Sequence, residues 1–255
     1  MSLGLIRPAH PASNPVTQRT PTRYPLRDGA DPAAAGVYGV SEAAGYLHLP
    51  ARTVRDWAFG REYPTGGGRA RSVALIEPAD PNGRRLSFLN LVEIHIIASL
   101  RRVHRVKAQP VRRAIAYLKK EFGSRRPLLD HHMLTDGTSL FVERYGSLVS
   151  VSEAGQLHIR ECLEAHLQRV EWDENHHPIR LYPFTHPGTT TAPRFVAINP
   201  RVRMGQPCIA GTGVPTAIIA QRHAAGDSVA GLAADYGRSA EEVEEAIRYE
   251  RRAAA

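Results

Sequence analysis

The most constraining feature of this sequence is a pair of short helical patterns in residues 39–60, GVSEAAGYLHLPARTVRDWAFG. Ser41 is suited to cap the first helix, because its hydroxyl oxygen can accept a hydrogen bond from a free backbone N–H group. Pro50 suits the first turn of the second helix, where a missing N–H group leaves no bond unmade. Val54 and Trp57 follow at the three-residue spacing of a buried helix face. We therefore predict two packed helices joined by a tight turn at LHLP.

The second helix of this pair is expected to present Arg52, Thr53 and Arg55 to solvent. Arginine can make paired hydrogen bonds to guanine, and threonine can contact a phosphate or a thymine methyl group. The helix pair is therefore a candidate DNA reader. The alternative is that two helices pack together and leave their arginines solvated.

A wing is predicted after the helix pair. Three glycines at residues 66–68 indicate a turn, the apolar stretch SVALIEP at residues 72–78 is expected to be extended, and DPNG at residues 80–83 is a strong turn signal. Four arginines lie beside these turns and would stand on the wing. The predicted DNA-binding residues are Ser41, Arg52, Thr53, Arg55, Arg69, Arg71, Arg84 and Arg85.

Positive charge is concentrated in this part of the chain. The whole sequence has 33 Lys and Arg against 25 Asp and Glu, a formal net charge of +8. Residues 51–126 hold 17 Lys and Arg against 6 Asp and Glu, a larger surplus than that of the entire chain. A local surplus of this size is the electrostatic footprint of nucleic-acid binding. The net charge alone does not choose between DNA, RNA and a membrane surface.

Over residues 38–105 the sequence resembles MerR-like winged helix-turn-helix regulators. The resemblance is carried by YGVSEAAGYLHLPARTVRDWA, which matches a capped helix, a short turn and a recognition helix, and by RRLSFLNLVEIHIIASLRR, which matches a wing strand and third helix. The predicted wing is longer than is usual in that family. The resemblance implies a dimer that binds a two-fold-related operator in double-stranded DNA.

The middle of the chain has a different pattern. A β-hairpin is predicted in residues 139–152, with strands at SLFVE and SLVSVS and a turn at RYG. Apolar residues then recur at helical spacing, and PIRLYPF predicts one further strand. THPGTTTAPR in residues 185–194 has the composition of a linker. The predicted helix face consists of Ile159, Leu163, His166, Leu167 and Val170.

The last segment, residues 195–255, combines two short extended pieces, FVAI and CIAGTGVP, with three helices. Gly226 is predicted to end the first helix, and Ser228 and Ser239 to cap the next two. Glu242 follows Ser239 by three residues and completes a capping box. GQPCIAGTG lacks the lysine of a phosphate loop, so we interpret its glycines as turn residues.

This tail resembles a small domain of VapB-type antitoxins, in which a proline- and glycine-rich pattern precedes a three-helix tail. Gly213 stands where that pattern usually has arginine. A MerR-like head joined to such a tail is similar to the longer members of the VapB group, and the resemblance implies a PIN or PIN-like ribonuclease toxin as partner. The residues that fit the pattern are Pro200, Gly205, Pro207, Ile209, Gly211, Thr212, Val214 and Pro215.

The charge of the tail also favours a protein partner. Residues 207–250 carry three basic and seven acidic side chains, a balance unsuited to phosphate binding. Acidic helices could pair with basic residues around the RNA channel of a nuclease, and a plain solvated face is the alternative. The predicted toxin-binding residues are Arg222, Asp235, Glu241, Glu242, Glu245 and Arg248.

Metal and catalytic sites are not predicted. The histidine pairs at residues 131–132 and 176–177 contain metal-ligating groups, but adjacent histidines point in different directions, so a metal site would need the fold to bring the two pairs together. Cys162 and Cys208 lack CxxC spacing, and no nucleophile motif such as GxSxG or SxxK occurs. We therefore expect no metal, no cofactor and no enzyme activity.

The predicted fold class is mainly α with small β elements, an α+β arrangement. No apolar run of about 18 residues and no signal-peptide pattern occur, so the protein is expected to be cytoplasmic. The predicted units are a disordered or extended arm at 1–35, a winged helix-turn-helix at 36–126, a middle hairpin and helix module at 127–184, a linker at 185–194 and a helical tail at 195–255.

Two functional hypotheses follow. The first is an antitoxin of a type II toxin-antitoxin system, which neutralises a PIN-like ribonuclease and represses its own operon as a homodimer or a larger complex with the toxin. The alternative is a stand-alone MerR-like transcriptional regulator whose middle module senses a small ligand. An enzyme acting on nucleic acid would require carboxylates or histidines that converge in space.

Overall fold

A computed structural model describes residues 31–102, 108–150, 152–186 and 193–253. These residues form nine α-helices and six short strands, which confirms the predicted α+β class. The helices are α1 (Val40–Tyr46), α2 (Ala51–Phe59), α3 (Phe88–Ala98), α4 (Ala108–Phe122), α5 (Gly137–Val149), α6 (Glu153–Leu167), α7 (Thr216–Ala224), α8 (Val229–Tyr236) and α9 (Ala240–Ala253). The strands are β1 (Glu62–Thr65), β2 (Gly68–Arg71), β3 (Val170–Trp172), β4 (Pro178–Leu181), β5 (Val196–Ile198) and β6 (Pro207–Ile209).

Most of the predicted N-terminal arm lies outside the described residues. Its last part, residues 31–35, forms a turn that belongs to the fold. The Asp31 carboxylate accepts a hydrogen bond from the N–H of Ala33 at 3.0 Å, and the Ala33 carbonyl accepts one from the N–H of Leu89 at 3.1 Å. This segment is therefore attached to the start of α3.

The predicted cap of α1 is wrong by two residues. Gly39, not Ser41, is the N-cap, and the Glu42 carboxylate accepts a hydrogen bond from the Gly39 N–H at 3.2 Å. Glu42 therefore supplies the N3 half of a capping box, in which the third residue of the helix bonds the N–H of the N-cap residue. Pro50 is the N-cap of α2 and stands one position before the predicted first turn.

The strands of the wing lie earlier than predicted. β1 and β2 pair in an antiparallel hairpin with Glu62 opposite Arg71. The stretch at residues 72–78 was expected to be extended, yet it contains no strand. Leu75 and Ile76 are buried there, and the Leu75 N–H donates to the Trp57 carbonyl of α2 at 2.7 Å. Burial against α2 replaces strand pairing for this apolar segment.

The hairpin predicted in residues 139–152 is also wrong, because these residues lie largely in α5. Phe141, Val142 and Tyr145 are buried at spacings of one, three and four residues, which a helix places on one face. A Cβ added at Gly146 would lie 2.9 Å from the Gln156 side chain of α6. The glycine interpreted as a turn residue therefore permits two helices to approach closely.

The main hydrophobic core joins segments that the sequence assigned to different units. One cluster of buried side chains extends from Ala33 to Ile198 and is continuous across residue 126. Helix α3 belongs to this cluster and is buried on nearly all sides. Ser87 and Asn90 form a reciprocal cap at its start. The division of the chain into units stays a prediction.

A four-stranded antiparallel sheet connects the middle of the chain to its tail. The order is β3-β4-β5-β6, and β4 pairs with β5 through Leu181 and Ile198. The strand predicted from PIRLYPF is confirmed as β4, whereas Val170, predicted on a helix face, begins β3. Residues 187–192 of the predicted linker lie outside the described residues. The flanking strands nevertheless share one sheet.

The three tail helices form a second small core around Ile219, Leu232 and Val243. The predicted caps Ser228 and Ser239 are confirmed, whereas the C-cap of α7 is Ala225, one residue before the predicted Gly226. Ser228 accepts a hydrogen bond from the Gly231 N–H at 3.1 Å. The Ser239 hydroxyl accepts one from the Glu242 N–H at 3.2 Å, and the Glu242 carboxylate accepts one from the Ser239 N–H at 2.9 Å. Within the residues that the structure describes, no helix has the length and apolarity needed to span a membrane.

Glu93 of α3 is a buried carboxyl group, and burial raises its pKa to about 7 against the opposing effects of Arg126 and Asn90. The folded state therefore holds a proton that the unfolded chain releases near pH 4.5. The contribution of this group to stability is complete below pH 4.5 and is lost as pH rises to about 7.

We expect Glu93→Gln to remove this dependence, because glutamine stays neutral. The fall in the free energy of unfolding between pH 5 and pH 8, measured by urea denaturation, should shrink by up to about 3 kcal/mol. Glu121→Gln, at an exposed site on α4, is the control and should leave the fall unchanged. An identical pH profile for wild type and Glu93→Gln would contradict the assignment.

Candidate nucleic-acid interface and partner-binding surface

The helix pair predicted from the sequence is present, with a four-residue turn between α1 and α2. His48 in this turn has a left-handed backbone, with φ of 51°. The predicted inward residues Val54 and Trp57 are buried. Arg52 and Arg55 are exposed on the outer face of α2, and Thr53 is half-buried between them. The helix therefore offers two guanidinium groups at neighbouring positions on one face.

The hairpin is firmly attached to the end of α2. Gly60 has φ of 72°, and a Cβ at this position would lie 2.1 Å from the Ser72 carbonyl oxygen, so the chain turns here without a side chain. Arg71 donates to the Phe59 carbonyl at 3.0 Å, and the Arg61 N–H donates to the Ser72 hydroxyl at 2.9 Å. These bonds hold the hairpin at the C-terminal end of α2.

The remaining predicted DNA-binding residues are all exposed. Arg69 pairs with Glu62 across the hairpin at 3.6 Å, a weak interaction that leaves the guanidinium open to solvent. Arg84 and Arg85 follow the confirmed DPNG turn, and Arg85 donates to the Val37 carbonyl at 3.4 Å, just before α1. Ser41 is exposed on the first turn of α1. The predicted residues thus stand on α1, α2, the hairpin and the DPNG turn.

Helix α4 carries basic residues that contribute to the positive surplus of residues 51–126 but are not among the predicted DNA-binding residues. Arg112 donates to the Val73 carbonyl in the segment that follows the hairpin. Arg113, Lys119 and Lys120 are exposed on the same helix. In the sequence, only the local surplus of positive charge pointed to these residues. The position of α4 beside the segment that follows the hairpin is shown by the contact between Arg112 and Val73.

The predicted acidic surface of the tail is smaller than expected. Glu245 is only 2% exposed and accepts hydrogen bonds from Thr185 and Arg248. Glu242 is largely covered by Arg238 and serves the capping box. Both carboxylates bond to neighbouring residues of the fold. The prediction that Glu242 and Glu245 face solvent is therefore wrong.

Other acidic groups of the tail do face solvent. Glu241 and Glu244 are exposed on α9. Asp235 is exposed on α8 and accepts a hydrogen bond from Arg222 at 2.7 Å, while Arg222 also bonds Asp227 at 2.6 Å. The open acidic surface therefore consists of Asp235, Glu241 and Glu244, and we call it the acidic tail surface.

A junction joins the helix pair to the tail. The Tyr249 hydroxyl of α9 donates to the Tyr46 carbonyl at 2.8 Å. That carbonyl lacks a helical partner because the residue four positions later is Pro50, which has no N–H. The His48 ring lies 3.0 Å from the Tyr249 carbonyl and 3.2 Å from the Phe184 carbonyl. The α1–α2 turn is thus bonded both to α9 and to the end of the middle segment.

We expect Tyr249→Phe to lower the free energy of unfolding by about 1–2 kcal/mol, because the Tyr46 carbonyl would be left without its donor. Burial raises the pKa of Tyr249 well above its ordinary value, so the hydroxyl stays a donor throughout the accessible pH range. Urea denaturation measures the change. Tyr63→Phe, at an exposed hairpin position, is the control, and equal losses in the two variants would argue against the junction.

The fold brings His176, from the second histidine pair, next to the first pair at residues 131–132. Asp130 lies 3.2 Å from His131 and 2.7 Å from His132, measured from its Oδ1 to each Nδ1. The His176 ring stacks at 6.0 Å from that of His131. Burial opposes ionisation of Asp130, but hydrogen bonds from His132 and Ser124 outweigh it and hold the pKa of this carboxyl below its ordinary value.

A small pocket of about 120 Å³ lies between β4 and the tail. Arg180, Gln206, Cys208 and Thr212 are among its lining residues. Burial raises the pKa of the Cys208 thiol to about 11, so it is protonated at neutral pH and a poor nucleophile. The pocket is also smaller than the cavities of about 300–1,000 Å³ that hold drug-sized ligands.

The described residues thus define an α+β protein in which a helix pair with a hairpin is docked on a small helical tail. Residues 196–249 match a domain family described as a protein of unknown function, DUF433.

A curated sequence and a crystal structure, both from Mycobacterium tuberculosis, are similar to most of the chain. A curated protein of strain ATCC 25618 / H37Rv named "Putative antitoxin VapB45" is 28% identical over 230 residues, which are 83% of this chain and 92% of that protein. The crystal structure of Rv2018 has a similar fold, with a TM-score of 0.60 and 22% identity, and the match covers 84% of this chain and 98% of that one. The structural likeness concerns the fold.

Proposed function

We propose that this chain is the antitoxin of a type II toxin-antitoxin system. It binds and neutralises a PIN-like ribonuclease, and it represses its own operon by binding operator DNA. The relative named as an antitoxin, similar over 83% of this chain, supports the antitoxin part. Both activities are consistent with two surfaces of opposite charge on one chain.

The DNA-binding part rests on one observation, the exposure of Arg52 and Arg55 on α2, whose C-terminal end is bonded to the hairpin that carries Arg69 and Arg71. In a MerR-like winged helix-turn-helix, the second helix of the pair enters the major groove and the wing contacts the flanking backbone. The α2 arginines would read base edges, and the hairpin arginines would contact phosphates. A dimer would place two such helices on a two-fold-related operator.

The toxin-binding part is assigned to the C-terminal tail. Its open carboxylates, the acidic tail surface, suit a partner whose RNA channel is basic, because a carboxylate entering that channel competes with substrate phosphate. Glu245 and Glu242 are instead paired within the tail, with Arg248 and Arg238 respectively. The junction at Tyr249 and His48 places the toxin-binding helix α9 in contact with the turn of the DNA-binding pair.

Co-expression with the product of the adjacent reading frame tests this proposal. We expect a stable complex, RNA cleavage by the isolated partner, and loss of that cleavage when this chain is added. Binding to DNA from its own promoter should weaken steeply as salt rises, because each phosphate contact releases counterions. Promoter binding without a nuclease partner would overturn the antitoxin proposal and support the stand-alone regulator. A catalytically silent partner would also contradict it.

A further inference from the structure

A cluster of three histidines and one aspartate is the strongest unassigned feature of the described residues. Asp130, His131 and His132 each offer one donor atom, and the three atoms lie within 4.8 Å of one another. His176 comes from the turn between β3 and β4, and its ring lies parallel to that of His131 within 21°. Two separate chain segments therefore bring imidazole groups to one place.

We propose that Asp130, His131, His132 and His176 form a binding site for a divalent transition-metal ion, with Zn²⁺ as the best match. Imidazole nitrogens combined with one carboxylate oxygen are ligands that Zn²⁺ binds in four-coordinate sites. Ligand atoms about 2.0–2.2 Å from a tetrahedral ion lie about 3.3 Å apart. The 3.2 Å between Asp130 and His131 meets this spacing.

Metal binding at this site requires the exposed histidine rings to rotate. The 2.7 Å between Asp130 and His132 must widen by about 0.6 Å to reach tetrahedral spacing. The His131 and His132 side chains are 55% and 42% exposed, so their rings are free to adjust and the ion can enter from solvent. His176 is exposed as well and can turn a ring nitrogen toward the same point.

The backbone on both sides of the cluster is already held in place. The Asp130 carboxylate accepts a hydrogen bond from the His132 N–H at 3.2 Å, and the Phe122 ring stacks on the His132 ring at 5.0 Å. His176 has a left-handed backbone with φ of 60°, in a turn where the Asp173 carboxylate accepts from the N–H of Asn175 and of His177.

Hydrogen bonding to Asp130 explains why two of the imidazoles lie there. It does not account for the arrival of His176 from the β3–β4 turn. A shared metal ion accounts for all four side chains. It would join the short 3-10 helix His131–Leu134 to that turn, and would thereby stabilise the contact between the two segments.

Titration calorimetry with ZnCl₂ on the full chain, with any polyhistidine tag removed, tests the site. We expect one ion per chain and a higher thermal unfolding temperature with Zn²⁺ present. Co²⁺ should give the strong visible absorption of a tetrahedral complex. His131→Ala/His132→Ala should weaken Zn²⁺ binding at least tenfold, as should His176→Ala.

The controls separate this site from ordinary surface histidines and thiols. His177→Ala removes an exposed imidazole next to His176 that pairs with Asp173 and not with the cluster, and should bind Zn²⁺ as wild type does. Cys162→Ser/Cys208→Ser should also leave binding unchanged. Zn²⁺ binding that survives His131→Ala/His132→Ala, or no binding to the wild-type chain, would overturn the site. Binding unaffected by His176→Ala would overturn the four-ligand arrangement.

Discussion

Arg52→Ala/Arg55→Ala is expected to weaken binding to the operator by at least 30-fold while the fold is retained. Both side chains are exposed on α2, so truncating them removes no packing from the core. A bidentate arginine contact to a base is worth about 1–3 kcal/mol of discrimination, so two such contacts account for losses of this size or more. The measurement is fluorescence anisotropy with promoter DNA and with a scrambled duplex.

A matched control distinguishes recognition of the DNA sequence from attraction to DNA by positive charge alone. Arg201→Ala/Arg251→Ala removes the same charge from exposed positions in the tail and should change operator affinity little. Loss of preference for the promoter over the scrambled duplex would place the α2 arginines on base edges. A uniform loss on both duplexes, with a smaller salt slope, would assign them to phosphates instead. Unchanged operator affinity would remove α2 from the proposed interface.

Glu241→Lys/Glu244→Lys is expected to weaken binding of the ribonuclease at least tenfold and to restore RNA cleavage at the antitoxin concentrations that silence it in the wild type. These carboxylates are the exposed acidic groups of α9, and reversing both changes attraction to a basic channel into repulsion. The effect should diminish at high salt, because interactions between exposed charges are screened. Calorimetry and the cleavage assay measure the two results.

The charge change itself has a closely matched control on α6. Glu161 and Glu164 are exposed, have the same three-residue spacing and lie outside the tail, so Glu161→Lys/Glu164→Lys should leave toxin binding intact. Equal weakening by both pairs would mean that net charge, and not the acidic tail surface, governs the complex. Reversal of Glu245 is unsuited to this test, because it would place a second cation beside Arg248 in a buried position.

The sequence predicted the local features of the site well. These features depend on residues that lie within a few positions of one another. They are the inward positions of Val54 and Trp57, the DPNG turn, and the caps at Ser228 and Ser239. Such interactions are decided by neighbouring side chains. The predictions failed where distant segments compete with local preference.

Two of those failures have a clear physical cause. The segment at residues 139–152 was predicted to form two strands and a turn, yet packing of Phe141 and Tyr145 into the core makes it largely helical. Glu245 was interpreted as a surface carboxylate from the acidic composition of its helix, yet Thr185 and Arg248 enclose it. Neither partner of a long-range contact can be identified from its own neighbourhood in the sequence.

The sequence by itself determined the helix pair, the concentration of positive charge around it and the capped helices of the tail, because each depends on periodicity or on interactions within one or two turns. Only the tertiary structure decided that β4 and β5 pair across the predicted linker, and that Tyr249 bonds the carbonyl left free by Pro50. These contacts join residues far apart in the chain. Their formation depends on how the whole core buries its apolar surface.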